Sequence, residues 1–269
     1  MGRWLAGCLT AQGQQAVLLD RNGAVLAEIG QKLGVEVSVD PGIASGAEVL
    51  VLAVPISCFE EAVQALTPFT HAGQTVIDIT SVKTTPVGIM HRYLPHCTVL
   101  GTHPVFGPGT DGLDGQNIVL TPTSAAEQAA ADRLAAVLCG YGAHVVQMTP
   151  ERHDELMAGV LGLAHYIALV SGDTLLSMEN FAELAQVGGP TFRALLSLVK
   201  SVLDEDPTLY SAIQMQLPAL PGLEQVFAEK AKAWAELVAG NDFSGFRDRM
   251  LALSQRFSEQ SQLSSPSAA

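Results

Sequence analysis

Only four cysteines occur in 269 residues, Cys8, Cys58, Cys97 and Cys139, and no two of them form a C-x-x-C pair. That scatter supports neither a zinc site nor a disulfide framework, so no metal is expected. The thiols read as small core residues in a reducing compartment. Basic residues are also scarce: 14 Lys and Arg stand against 27 Asp and Glu, a formal charge of −13. So acidic a chain is a poor partner for nucleic acid or an anionic membrane, and an anionic substrate would need several of those cations gathered locally. Long apolar runs are missing too, and stretches such as Val49 to Pro55 fall far short of a membrane span. With no basic, apolar leader in view, the cytoplasm is the expected compartment. Hydrophobic residues make up 48% and charged residues 15%, which excludes general disorder and leaves ample material for a core.

What is present is an alternation. Short apolar runs at 16–20, 49–55, 75–80, 98–104, 117–122 and 144–148 read as strands. They are continuous rather than in-out patterned, as expected where helices cover both faces of a sheet. Helical stretches lie between them, and another covers Arg3 to Gln12. Ser124 with Glu127 forms a capping-box pattern. This spacing predicts an α/β fold with a doubly wound, mostly parallel sheet. After Met148 the strand signals stop. Thr149 and Pro150 open a long helical pattern reaching Asn180, followed by helices near 190–204, 207–216, 220–239 and 242–258. The expected organisation is therefore an α/β domain over 1–149, an all-α domain over 150–257, and a polar, disordered tail over 258–269.

Several residues stand where such a fold places chemistry. Asp20 closes the run 16–20, where an acidic side chain can accept hydrogen bonds from a ribose and repel a 2′-phosphate; DRNG is equally good turn chemistry. Arg21 beside it can lie on an adenine or attract a phosphate. Val54 and Pro55 follow a buried strand at the sheet's carboxyl edge, although Pro also simply ends a strand. Ser81 and Lys83 follow the run 75–80, and His103 ends the run 98–104 ahead of a Gly- and Pro-rich loop. Neighbouring strand ends would gather all three at one crevice. There a histidine can take a proton from a hydroxyl whose carbon loses hydride. Ser81 could set its tautomer and Lys83 could offset negative charge. A structural histidine is the plainer reading of any single His.

The segments DITSVK and GTHPVFGP, about twenty residues apart, resemble the prephenate and arogenate dehydrogenases of tyrosine biosynthesis. The likeness continues through PERHDELMAGVLGLAHYIA, GGPTFR and DEDPTLYSAIQM. It implies a Rossmann-like first domain binding NAD, with NADP as the alternative, and a homodimer formed through the helical domain. The implied reaction oxidises the ring hydroxyl of a small dianionic substrate while the ring carboxylate leaves as CO₂. By that resemblance His103 is the catalytic base, Ser81 orients it and also borders the cofactor, and Lys83 and His165 line the substrate site. Without it, His165 reads as a core histidine on an apolar helical face.

Two departures accompany the likeness. Where many family members carry a carboxylate-binding Arg, this chain has Ser201, leaving Lys200 or Arg193 as substitutes. In place of a strand and a G-x-G-x-x-G turn, the sequence starts at Met1-Gly2, with Gly2 matching the third glycine. A start site assigned too late, or a different N-terminal design, would account for that. Two rival readings follow: a catalytically degenerate member that binds a ligand or partner, and a related two-domain hydroxy-acid dehydrogenase.

Overall fold

The computed structural model describes residues 1–264, with side chains to residue 260. Seven strands form, in chain order β1 (Val17–Leu19), β2 (Glu36–Ser38), β3 (Val49–Leu52), β4 (Thr75–Asp78), β5 (Thr98–Pro104), β6 (Asn117–Thr121) and β7 (His144–Gln147). β1 and β2 pair in parallel as a small sheet. The other five form a second sheet in the order β3-β4-β5-β6-β7. Every pairing there is parallel except β5 with β6. Among the described residues no strand joins β1 to β3, and Val17, Leu19 and Val49 are exposed there.

The helices α1 (Gly2–Ala11), α2 (Gly23–Leu33), α3 (Phe59–Leu66), α4 (Thr84–Tyr93) and α5 (Ala125–Gly140) alternate with these strands. Val76 and Val99 pack on one face of the larger sheet with Phe59 and Val63 of α3 and Met90 of α4. Leu100 and Leu120 pack on the other face with Ala131 of α5. Covering both faces is what allows the strands to be continuously apolar. α5 is capped as the sequence suggests, Ser124 accepting from the Glu127 N–H at 3.3 Å. The reciprocal bond moves one residue: the Glu127 carboxylate accepts from the Thr123 N–H and hydroxyl at 2.6 and 2.7 Å.

The long helical pattern after Met148 is divided. α6 (Pro150–Met157) gives way to a π-helical turn (Ala158–Leu163) and then α7 (Ala164–Leu176). A separate short helix, α8 (Phe181–Val187), precedes α9 (Pro190–Leu203) and α10 (Pro207–Gln216). The continuous stretch 150–176 has the length and apolarity of a membrane span. Here Leu220 packs on its Gly162 and Val199 on its Gly172. A second core joins Met157 and Ala158 to Val82 of the β4–α4 loop and to Ile213, Leu217 and Leu220.

That core bears on the organisation of the chain. The compact units are 1–220 and 221–269, so the helices of 150–220 pack closely on the α/β part. The anchor is polar as well as apolar: the Asp154 carboxylate on α6 accepts from the N–H groups of Lys83 and Thr84, opening α4. The second unit holds most of α11 (Leu220–Ala239) and α12 (Phe243–Ser264), where Trp234 meets Phe246 edge-on and carries Arg249 over its ring. Helix α12 reaches Ser264, so the expected disorder from 258 is corrected over 258–264; residues 265–269 lie outside the described part. Of the four cysteines, Cys97 is partly buried against the core around Val76, Cys8 and Cys58 are partly buried, and Cys139 is exposed, so the core reading holds only in part.

Candidate active site

His103 lies near the end of β5 and is only 4% exposed. Its Nδ1 is 2.8 Å from Nε2 of His153, and the two rings meet edge-on. His153, fully buried in α6, places its own Nδ1 2.7 Å from Asp154 Oδ1. Asp154 also accepts from the Lys83 N–H at 2.7 Å and the Thr84 N–H at 2.9 Å. The result is a line of side chains, His103–His153–Asp154, running from the strand end to the helix that packs on it. Thr149 holds the start of that helix by accepting from the Arg152 N–H at 3.2 Å.

Beneath this line lies a buried ion pair. The Lys83 ammonium donates to Asp78 Oδ1 and to the carbonyl of Thr102, with both charged side chains fully buried. Asp78 Oδ1 also accepts from the Thr80 N–H at 2.9 Å and the Thr80 hydroxyl at 2.6 Å. Such a pair exchanges two large desolvation penalties for one strong attraction. The sequence suggests Lys83 as a substrate contact, but here the side chain is fully buried and donates to Asp78 and to the residue preceding His103. The pattern was in the sequence, since Asp78 ends the strand only five residues earlier.

Burial sets the electrostatics. His103 is held well below the ordinary histidine value of 6.5, first by burial, then by the Lys83 ammonium and by His153, with Asp154 opposing. The imidazole is thus neutral near pH 7. Burial pushes Asp154 up, but hydrogen bonds from His153, Thr84 and Lys83 outweigh it and hold the carboxyl below its usual range. Burial also lowers Lys83, offset in part by Asp78 and Asp154.

The remaining expected residues divide. Ser81 sits in the β4–α4 loop, half-buried, and the partner of His103 Nδ1 is His153. His165, near the start of α7, stacks at a tilt on Tyr210 with centroids 4.3 Å apart. Its Nδ1 is buried without a protein partner, and burial lowers its pKa. An unsatisfied buried polar atom in a half-buried ring suits a ligand contact. Arg193 is exposed and donates to the Gly188 carbonyl at 2.8 Å, while Lys200 is exposed and pairs with Asp204 at 2.7 Å. Ser201 bonds back to the Leu198 carbonyl. Neither cation replaces a buried clamp.

At the nucleotide side, Gly2 opens α1, and a Cβ there would meet Ala53 Cβ at 3.0 Å. This close approach puts the first turn of α1 beside the carboxyl end of β3, next to Val54 and the exposed Pro55. Trp4 donates to the Thr110 carbonyl at 2.8 Å and meets Phe106 edge-on, tying α1 to the loop that follows His103. Asp20 follows β1 and accepts from the Asn22 N–H at 2.9 Å in a local turn; Arg21 beside it is exposed. Among the described residues, no group of His, Cys, Asp and Glu is arranged to hold a metal ion.

The sequence reading does not single out His153 and Asp154. Their signal is the His-Asp dipeptide just past the capped first turn that Thr149 and Pro150 open, but two such residues there also suit a solvated helix face.

The family model "Prephenate dehydrogenase, nucleotide-binding domain" matches residues 5–147. "Prephenate dehydrogenase, dimerization domain" matches residues 149–252. A probable arogenate/prephenate dehydrogenase of Methanocaldococcus jannaschii is 28% identical over 264 residues, covering 97% of this chain and 59% of its own length. A 4-amino-4-deoxyprephenate dehydrogenase of Streptomyces pristinaespiralis is 29% identical over 203 residues, 75% of this chain and 68% of that one. The chain thus spans about three-fifths of the first of these relatives. Among solved structures, prephenate dehydrogenase from A. aeolicus with hydroxyphenyl propionate and NAD+ superposes with a TM-score of 0.79 at 22% identity, covering 96% of this chain and 94% of that one. Synechocystis arogenate dehydrogenase gives 0.75 at 19% identity over 96% and 95%.

Proposed function

The chain belongs to the prephenate dehydrogenase family, and from that premise we propose that it oxidises prephenate or arogenate at the ring hydroxyl carbon with loss of the ring carboxylate. The observation that carries the proposal is His103: a buried, neutral imidazole at a strand's carboxyl end with Nδ1 already engaged. Its other nitrogen, Nε2, is left to receive the hydroxyl proton.

NAD, bound, supplies the acceptor for the hydride that leaves the carbinol carbon. The residues present fit a dinucleotide in part. Gly2 allows the first turn of α1 to crowd β3, and that turn offers backbone N–H groups to a phosphate. Asp20 at the end of β1 is the ribose contact, which favours NAD over NADP, with Arg21 beside it. Val54, Pro55 and Ser81 border the same edge.

The proton balance follows from the substrate. As the hydroxyl oxygen becomes a carbonyl, its proton passes to His103 Nε2. When the bond to the ring carboxylate breaks, its electron pair enters the ring and CO₂ departs. The oxygen, now phenolate-like, takes the proton back from His103, and the base is restored. Aromatisation provides the drive, so the protein's work is placement and proton handling. His165, with its unpartnered Nδ1 beside Tyr210, is a substrate contact in this reading. A homodimer formed through the helices after residue 149, working in the cytoplasm, completes the proposal.

The test is turnover. The purified chain with NAD or NADP should generate reduced cofactor on addition of prephenate or arogenate. The amino analogue named for the Streptomyces relative serves as a third substrate. Absence of turnover with all three would refute the reading.

A further inference from the structure

We propose that His153 and Asp154 are positioning residues that lock His103 in the Nδ1–H tautomer, so that Nε2 meets the substrate hydroxyl as a bare acceptor. This deepens the functional reading above and rests on it for its catalytic consequence, but the tautomer itself is a property of the resting protein.

The assignment follows from counting donors and acceptors along the line. Asp154 is an anchored acceptor: Oδ1 takes the Lys83 N–H and Oδ2 the Thr84 N–H. A carboxylate holding two backbone donors has only lone pairs to offer, so His153 Nδ1, 2.7 Å from Oδ1, must carry a proton. Neutral His153 then presents Nε2 as a lone pair. His103 Nδ1, 2.8 Å away, must donate to it. Only one arrangement remains for the neutral His103 ring: hydrogen on Nδ1, none on Nε2.

The alternative is a doubly protonated His153. Its Nε2–H would donate to His103 Nδ1, moving the hydrogen of His103 to Nε2 and leaving the base without a lone pair for the substrate. A singly protonated His153 satisfies both of its ring contacts, donating from Nδ1 to Asp154 and accepting at Nε2 from His103, in a site where the ring is fully buried. The same line also serves the reaction. When Nε2 takes the hydroxyl proton, the new positive charge is shared through the Nδ1–H bond to His153, with the Asp154 carboxylate behind it. A third group orienting a base in this way is a recurrent device in hydrolases. Here the intermediary is a second imidazole, and the orienting carboxylate is pinned by the helix it helps to start.

The experiment combines nitrogen NMR with two variants. In wild-type protein at neutral pH, long-range proton–nitrogen correlation should show His103 Nδ1 in the protonated, pyrrole-like range and Nε2 in the bare, pyridine-like range. His153→Leu removes the acceptor and should give a mixture of His103 tautomers. Its kcat should fall about 100-fold, the lower end of what a correctly protonated base contributes, with KM for NAD unchanged. His153→Gln keeps an amide oxygen that can accept from Nδ1–H and should return kcat to within about 10-fold of wild type. A wild-type His103 protonated at Nε2 overturns the proposal without any variant. So does a His153→Leu protein whose His103 tautomer and kcat match wild type, or a His153→Gln protein as impaired as His153→Leu. If wild-type protein turns over none of the three substrates, the functional reading fails, while the tautomer measurement still decides the relay.

Discussion

At His103 one side chain has to be buried enough to stay neutral and accessible enough to meet a hydroxyl. Replacing it with Asn should lower kcat by about 10²–10⁴-fold, the range for general acid–base catalysis. Calorimetric titration should show NAD affinity unchanged, whereas an equal loss of both would make His103 structural. Because its pKa is depressed, the catalytic form persists as pH falls through 6.5. The acid limb of kcat/KM should therefore appear only well below that value. The same depression carries a stability sign. As pH falls below 6.5 the unfolded chain binds a proton that folded His103 refuses, so stability is full above 6.5 and declines below it. Denaturant titrations between about pH 7.5 and 5.5 should show a steeper loss for wild type than for His103→Asn. Lys83 shows where residue-level reading fails. A lysine after a strand end looks like an anion contact, and only burial shows that its charge is spent on Asp78 and Thr102. Removing one partner, as in Asp78→Ala, should cost about 3–5 kcal/mol by urea melts, because it strands a buried charge. The double change Asp78→Leu with Lys83→Met should be more stable than Asp78→Ala alone.

Elements were legible where their pattern was long. The apolar runs of β3 to β7 and the helices α1 to α5 are found within a few residues of where the sequence suggests. β2 escaped notice because three residues, Glu36–Ser38, are too short to show a period; its pairing with β1 is what makes it a strand. The π-helical turn Ala158–Leu163 was also hidden, since it preserves the apolar character of the helix it interrupts. α6 carries His153 and Asp154 to His103, so the proposed relay depends on it. Thr149→Ala removes its cap and should cost about 1 kcal/mol. For a chain of this size that lowers Tm by about 2–4 °C. A melting scan checks this, and a shift of zero would mean that packing through Met157 and Ala158 alone holds the helix.

Across the whole chain, fold class and family were readable because strand–helix alternation and the ordered motifs around Ser81, His103 and Pro207 survive without any structure. The site was half readable. His103 could be chosen from its place at a strand end, but its partners lie fifty residues away on a helix, and sequence carries no distance. The change to helices at residue 149 coincides with the boundary between the two family models, and distance hides only that the helices up to residue 220 pack back on the α/β part through Asp154 and the core around Met157. In the proposed function this packing prepares a neutral acceptor for a dehydrogenation with decarboxylation. The most direct measurement follows reduced-cofactor absorbance and released CO₂ together, with wild-type protein, NAD and prephenate or arogenate. One CO₂ per NADH, with the rate lost in His103→Asn, is the predicted result. NADH without CO₂, or a rate indifferent to His103, would contradict it.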